Sequence, residues 1–258
     1  MKTVSYLLAV LYVLILPCKS YSQFYKIYGY LTPEAGEKEI VYWLSQIPSS
    51  DCSYSFFGKN VGRSGLFAHS AEIEYGLSNR FGIAMYFDFE KPKGEELRFI
   101  RTKAVVARYR FYEPYSRPID LALYVEYKLP KKEYENKEEL ELKVIMEKNV
   151  GFHTLILNPT FEKAMSGVGV MEGVEFTFNC GYYYKESLTV QPGIEFYGKF
   201  GELRELEYFD KQKNYIFPTI DFFFGKKLNV NLHLGLGFGI TESSDNVILK
   251  SILSYGFF

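Results

Sequence analysis

From Glu37 to the C-terminus the chain is written almost entirely in a two-residue period. Leu228, Val230, Leu232, Leu234, Leu236, Phe238 and Ile240 alternate with Asn229, Asn231, His233, Gly235, Gly237 and Gly239. Ile119, Leu121, Leu123, Val125, Tyr127 and Leu129 alternate with Asp120, Ala122, Tyr124, Glu126 and Lys128. Successive side chains of a strand point to opposite faces, so each segment carries one apolar and one polar row. Twelve such segments can be read, at 37–47, 66–75, 81–89, 97–112, 119–129, 138–148, 152–162, 171–184, 187–199, 214–225, 228–240 and 246–258. No helical periodicity interrupts them.

A soluble two-sheet sandwich also alternates, so the pattern of connections has to decide. The odd connections are long (48–65, 90–96, 130–137, 163–170, 200–213, 241–245) and the even ones short (76–80, 113–118, 149–151, 185–186, 226–227). Segregating long and short loops to opposite ends is the habit of an up-and-down membrane barrel, with short periplasmic turns and longer external loops. Residues 48–65 and 200–213 are therefore expected outside the cell. The apolar rows agree, because no Asp, Glu, Lys or Arg stands in the middle of one. Arg101, Lys103, Lys148 and Glu172 are read onto that face only near strand ends, and a charge at the midplane would cost about 2–4 kcal/mol. The 23 Tyr and 23 Phe crowd strand ends, as at Tyr75, Phe111, Tyr112, Tyr182, Tyr183 and Tyr184, where membrane proteins place aromatic girdles. The expected fold is an all-β, twelve-stranded antiparallel up-and-down transmembrane β-barrel over residues 37–258. Pro159, Pro192 and Pro218 each remove a ladder hydrogen bond from the lipid-facing row, so local bulges are expected there.

The N-terminus reads as an address. Val4 to Pro17 is an apolar run behind Lys2, and Ser20 and Ser22 are the small residues that a signal peptidase requires. This predicts a signal peptide over 1–22, with a cut after Ser20 as the alternative, and an exported protein bound for the bacterial outer membrane. Cys18 would admit a lipid anchor, but Pro17 stands where that signal wants a small residue. Residues 23–36 are then expected as an N-terminal segment in the periplasm. At the other end Leu249, Leu253, Tyr255 and Phe257 form an apolar row closed by an aromatic, similar to the C-terminal signal read by the outer-membrane assembly machinery, although Phe258 stands one residue out of register.

Glu74-Tyr75-Gly76-Leu77-Ser78-Asn79-Arg80 before an apolar strand resembles a hairpin that recurs in Gram-negative outer-membrane β-barrels, including phenol-degradation (meta-pathway) outer-membrane proteins. Residues 120–127 and Asn158-Pro159 look like further landmarks of that group. The resemblance spans most of 37–258 and implies location and passage of small solutes, without chemistry.

With 30 Lys+Arg against 31 Asp+Glu, the chain lacks the basic face that nucleic acid demands. No catalytic arrangement is expected. His69 and Ser70 are adjacent on a strand and so point apart, which spoils a nucleophile–base pair. Three scattered His make no metal site, Cys52 and Cys180 fall too far apart in the expected barrel for a disulfide, and no cofactor is implied. The inward rows carry Glu72, Glu74, Asp88, Asp120, Glu126, Glu139, Glu141, Glu147, Glu162, Glu175, Glu195 and Asp221 against Arg98, Arg108, Arg110, Lys128, Lys143, Lys199 and Lys250. A barrel of this size is narrow, so the first expectation is a narrow channel for small or cationic solutes in contact with outer-membrane lipids. The alternatives are a closed barrel acting structurally or through partners at its outer loops, and a lipid-modifying enzyme. Pairing across the turns 76–80 and 113–118 sets Glu74 opposite Gly82 and Arg110 opposite Asp120. It predicts a lumen network of Glu72, Glu74, Arg108, Arg110 and Asp120 narrowing the periplasmic mouth, with Glu126 further up the same wall.

Overall fold

The computed structural model describes residues 25–258 except Lys226 and Leu228; the expected signal peptide lies outside them. Fifteen strands follow in order: β1 (Lys38–Ser49), β2 (Ser53–Phe56), β3 (Lys59–Gly62), β4 (Leu66–Ser78), β5 (Phe81–Lys91), β6 (Arg98–Arg110), β7 (Asp120–Pro130), β8 (Lys137–Val150), β9 (His153–Gly167), β10 (Glu175–Tyr184), β11 (Val190–Glu202), β12 (Glu205–Leu206), β13 (Lys213–Phe224), β14 (Val230–Gly239) and β15 (Val247–Phe257). Twelve of them form one antiparallel ring, closed because β1 pairs with both β4 and β15. Closure removes every sheet edge, which is what allows strands to stand in lipid. β2 and β3 form a separate hairpin inside the first long connection, and β12 adds two residues to β11.

The outward rows are apolar and exposed: Ile40, Ile73, Met85, Leu155, Leu234 and Leu253 face the surroundings. The buried residues are inside the ring. One cluster, toward the end with the longer loops (the outer end), joins Tyr54, Phe56, Tyr134, Tyr197, Tyr215 and Phe217. The second, nearer the middle, joins Trp43, Tyr86, Val106, Tyr124 and Ile145.

Three features differ from the sequence reading. First, Arg101 and Lys103 point inward. Two bulges in β6, one at Ile100 and one between Lys103 and Val106, reverse the facing of the short stretch between them. An extra residue in one strand of a pair turns the following side chains over, so the apolar face is cleaner than the sequence suggested. Second, no register shift falls at Pro159, Pro192 or Pro218, where bulges were expected; each stays in register with its neighbours. An outward proline loses a donor without needing an inserted residue.

Third, the N-terminal segment placed by the sequence reading in the periplasm, in its described part 25–36, runs into the barrel. Glu34 to Gly36 sit against Gly76 at the inner end, where Gly36 N–H donates to Gly76 O at 2.8 Å. Tyr25, at the other end of the strap, packs edge-on against Tyr197 and Tyr215 in the outer cluster. Tyr25, Ile27, Tyr28 and Tyr30 are all buried. A twelve-stranded ring is wider than its own side chains fill, and its polar wall can satisfy a backbone drawn into it.

Candidate functional site

The lumen is obstructed at two levels. At the outer end the β2–β3 hairpin folds over the mouth. Tyr54 and Tyr134 both donate their hydroxyls to Glu90 Oε2, at 2.9 and 3.1 Å. Arg63 grips Asp245, in the β14–β15 connection, through Nε–Oδ1 at 2.8 Å and Nη2–Oδ2 at 2.9 Å. Ser50 adds a hydrogen bond to the same carboxylate at 2.6 Å. Burial alone would push the Asp245 carboxyl up, but the hydrogen bond and charge of Arg63 prevail and hold it below the usual aspartate range. In the β7–β8 connection, burial pushes the Glu135 carboxyl up to about 7 against the opposing pull of Arg101.

Below the hairpin, the strap of residues 25–33 is held by polar contacts from several walls. Asn158, on β9, clamps the Tyr28 peptide from both sides: Oδ1 accepts from its N–H at 2.7 Å and Nδ2 donates to its carbonyl at 3.0 Å. Glu147, on β8, accepts the Tyr30 N–H at 2.8 Å, and the Tyr30 hydroxyl donates to the Tyr112 carbonyl. Lys26 reaches Glu72 and Glu74 on β4, at 3.4 and 3.7 Å. Lys143 stands over the Tyr28 ring at 3.9 Å. Gly76 admits the strap: a Cβ there would collide with the Glu34 carbonyl, and Asn79 accepts the Ala35 N–H at 3.1 Å. Two residues of the 74–80 hairpin thus anchor the strap where it enters.

Two cavities flank the strap. The outer one, about 110 Å³, is lined by Lys26, Arg101, Lys103, Lys128, Lys143, Lys199 and Lys213 and by only four carboxylates, Glu126, Glu139, Glu141 and Glu162. The inner one, about 340 Å³, carries Lys26, Arg108, Lys185 and Lys250 against Glu39, Glu74, Glu195 and Asp221. A further hollow of about 460 Å³ at the inner mouth is bordered by Thr32, Pro33, Glu37 and Arg110. Within the outer cavity Lys128 bridges Glu141 and Glu162 at 3.0 and 2.9 Å, and Lys143 reaches Glu141 at 2.8 Å.

Of the charged group expected near the inner mouth, the structure brings Arg108 to Glu74, with Nη2–Oε2 at 3.3 Å. Glu72 turns to Lys26 and to Trp43, whose Nε1 donates to Oε2 at 2.9 Å. Glu126 pairs with Lys103 at 3.5 Å and accepts the Tyr124 hydroxyl. Arg110 forms no ion pair with Glu72, Glu74 or Asp120 among the described residues; its guanidinium lies over the Tyr30 ring at 5.6 Å. Asp120 accepts the Tyr115 N–H at 3.1 Å instead. The reason is register: Glu74 pairs with Ala84 and Arg110 with Ala122, each two residues beyond the expected partner. Lys26, Trp43, Arg101, Lys103 and the clamp at Asn158 were not assigned to the site from sequence. The one signal available was the tyrosine-rich run 25–30 in a segment otherwise read as a linker.

His69 and Ser70 point to opposite faces: the His69 ring meets the Tyr42 hydroxyl at 2.6 Å outside, and Ser70 donates to Asp88 at 2.6 Å inside. His233 lies inside, 3.0 Å from Asp221 and 3.4 Å from Glu195. Cys52 and Cys180 form no disulfide among the described residues.

No protein-family model matches the chain, and no curated protein sequence does. Solved structures do share the fold. The KdgM porin superposes with a TM-score of 0.58 at 11% identity, over 85% of this chain and 99% of that one. KdgM in complex with disordered oligogalacturonate gives 0.57, at the same identity and coverage. The outer membrane protein Omp33 of Acinetobacter baumannii gives 0.49 at 8% identity, over 88% of this chain and 100% of that one. The chain thus shares with the KdgM porin the fold of an outer-membrane β-barrel.

Proposed function

We propose that this barrel is a narrow outer-membrane channel for small solutes, closed in the described conformation by its own N-terminal strap. The observation that carries the reading is that the outer and inner cavities share Lys26 as a lining residue. The strap is the partition between them, so withdrawing it joins the two through a charged, wettable interior. Its attachment by hydrogen bonds and ion pairs is reversible, each contributing a modest net free energy. KdgM, a porin of the same fold solved in complex with disordered oligogalacturonate, lends support to solute passage.

The acid excess that suggested cation preference is offset in the outer half by Lys26, Arg101, Lys103 and Lys213. The inner cavity is balanced, with Lys26, Arg108, Lys185 and Lys250 against Glu39, Glu74, Glu195 and Asp221, so a cation preference there depends on Lys26 leaving with the strap. The kinship suggested by residues 74–80 rests on a hairpin whose role here is to seat the strap. Export by residues 1–22, assembly through the C-terminal aromatic row and exposure of 48–65 and 200–213 outside the cell belong to the same proposal. In a Cys52→Ser background, cysteines at Ser49 and Lys211 should react with an impermeant thiol reagent on intact cells, and one at Ser78 should not.

The decisive experiment compares the mature chain with one lacking residues 23–31 in planar bilayers. The shortened chain should conduct in discrete steps and the intact chain should open rarely. Silence from both would leave a closed barrel that acts through its outer loops.

A further inference from the structure

The lysine that the strap carries into the lumen occupies a pocket with the chemistry of an ammonium receptor. Besides its two carboxylates, Lys26 Nζ lies 4.6 Å from the centre of the Trp43 ring and 4.9 Å from that of Tyr28. A cation over an aromatic face is attracted by the ring's quadrupole, most strongly over tryptophan. The same Trp43 fixes the carboxylate, because its indole N–H is bonded to Glu72 Oε2. Glu72 is fully buried, and its second oxygen, Oε1, has no hydrogen bond among the described residues. Arg108 compensates Glu74, so Lys26 is the cation that balances Glu72. A buried carboxylate without a counter-charge is strongly disfavoured.

Geometry separates the receptor from its occupant. Glu72, Glu74 and Trp43 stand on β4 and β1, which are paired wall strands with Trp43 opposite Ser70 and Val41 opposite Glu72. Lys26 and Tyr28 belong to the strap. When the strap leaves, the two carboxylates and the indole stay in place, facing the joined cavities.

We propose that Glu72, Glu74 and Trp43 form a binding site for the primary ammonium group of a small alkylamine-type solute, with Lys26 as its resident stand-in. The proposal rests on the channel reading for the solute's access and names the solute's chemical class. It also gives the one charged residue of the stretch 25–33 a reason to be there: Lys26 closes the lumen by occupying the site that a solute would need.

Trp43 is the sole tryptophan among 258 residues, so fluorescence excited where tyrosine does not absorb reads this site alone. Lys26→Ala in the mature protein empties the ammonium position while leaving the strap. Titration of this variant with n-butylammonium should change Trp43 emission saturably, and n-butanol, of the same shape without charge, should not. The wild type, with the position filled, should respond at least about tenfold more weakly. Adding Glu72→Gln should weaken binding by about tenfold or more, the scale of a lost charge-assisted hydrogen bond. Should Lys26→Ala not fold, the chain lacking residues 23–31 takes its place. An equal response to butanol, no saturable response, or binding indifferent to Glu72→Gln would overturn the site. Conductance of the shortened chain is read separately: a conducting barrel with silent Trp43 fails this inference alone, and a binding but non-conducting barrel fails the channel reading alone.

Discussion

Asn158→Ala should open the lumen without unmaking the wall. The Asn158 side chain is fully buried and makes both of its clamping bonds to one strap residue, Tyr28. A neutral hydrogen bond nets about 0.5–1.5 kcal/mol, and stranding a buried partner costs about 1–3 kcal/mol. Truncation strands both the N–H and the carbonyl of Tyr28, and the adjoining cavities let water relieve part of that, leaving about 2–4 kcal/mol lost from the strap-in state alone. At 1.4 kcal/mol per factor of ten, the strap-out population should rise about 30- to 700-fold. The ladder of β9 is untouched, because Asn158 pairs with Asn179 through its backbone. Two measurements check this: the open fraction in planar bilayers, and quenching of Trp43 by acrylamide, which gains access as the strap leaves. A variant with unchanged open fraction and unchanged quenching would refute the argument. A lower melting temperature without either change would reassign Asn158 to wall packing.

Gly76→Ala places a methyl group where the Glu34 carbonyl lies. It should raise the open fraction through overpacking of about 1–3 kcal/mol at the strap's point of entry, measurable in the same bilayer recordings. Arg108→Ala leaves Glu74 with Lys26 as its one remaining cation among the described ion pairs. Breaking a buried pair costs about 3–5 kcal/mol, so the unfolding midpoint should fall while conductance changes little; a rise in conductance at constant stability would make Arg108 a gate. The outer hairpin should stay latched through the pH range where an ordinary aspartate, near 3.8, takes up its proton, because Asp245 is held below that value. A depressed carboxylate stabilises the fold fully above its unfolded value, and that contribution is lost as pH falls through the folded one. Hydrogen exchange of residues 53–62 should therefore accelerate only in more acidic solution, whereas Asp245→Asn should accelerate it at neutral pH.

The facing of the strands was legible because it is local. A residue's side of the sheet follows from its parity, and lipid on one side and a polar lumen on the other write that parity into rows such as Leu249, Leu253, Tyr255 and Phe257. Loop lengths told which turns share an end, and from these two signals the ring of twelve strands followed. Parity failed at Arg101 and Lys103, where two bulges in β6 turn the chain over and back; a bulge is set by what the inserted residues meet on neighbouring strands. The register across 76–80 and 113–118 slipped by two for a related reason, since a pairing shift of two preserves every facing and leaves no mark on the hydrophobic pattern.

What the sequence by itself determined is the wall: strand number, inward and outward rows, and the ends at which loops gather. Only the tertiary structure decided what fills it. The strap and the hairpin are held by partners far away along the chain, Tyr28 by Asn158 and Arg63 by Asp245, separated by 130 and 182 residues. No periodicity encodes such contacts. They exist because closing the ring brings distant polar side chains around one enclosed space, where a buried charge or peptide group must find a partner.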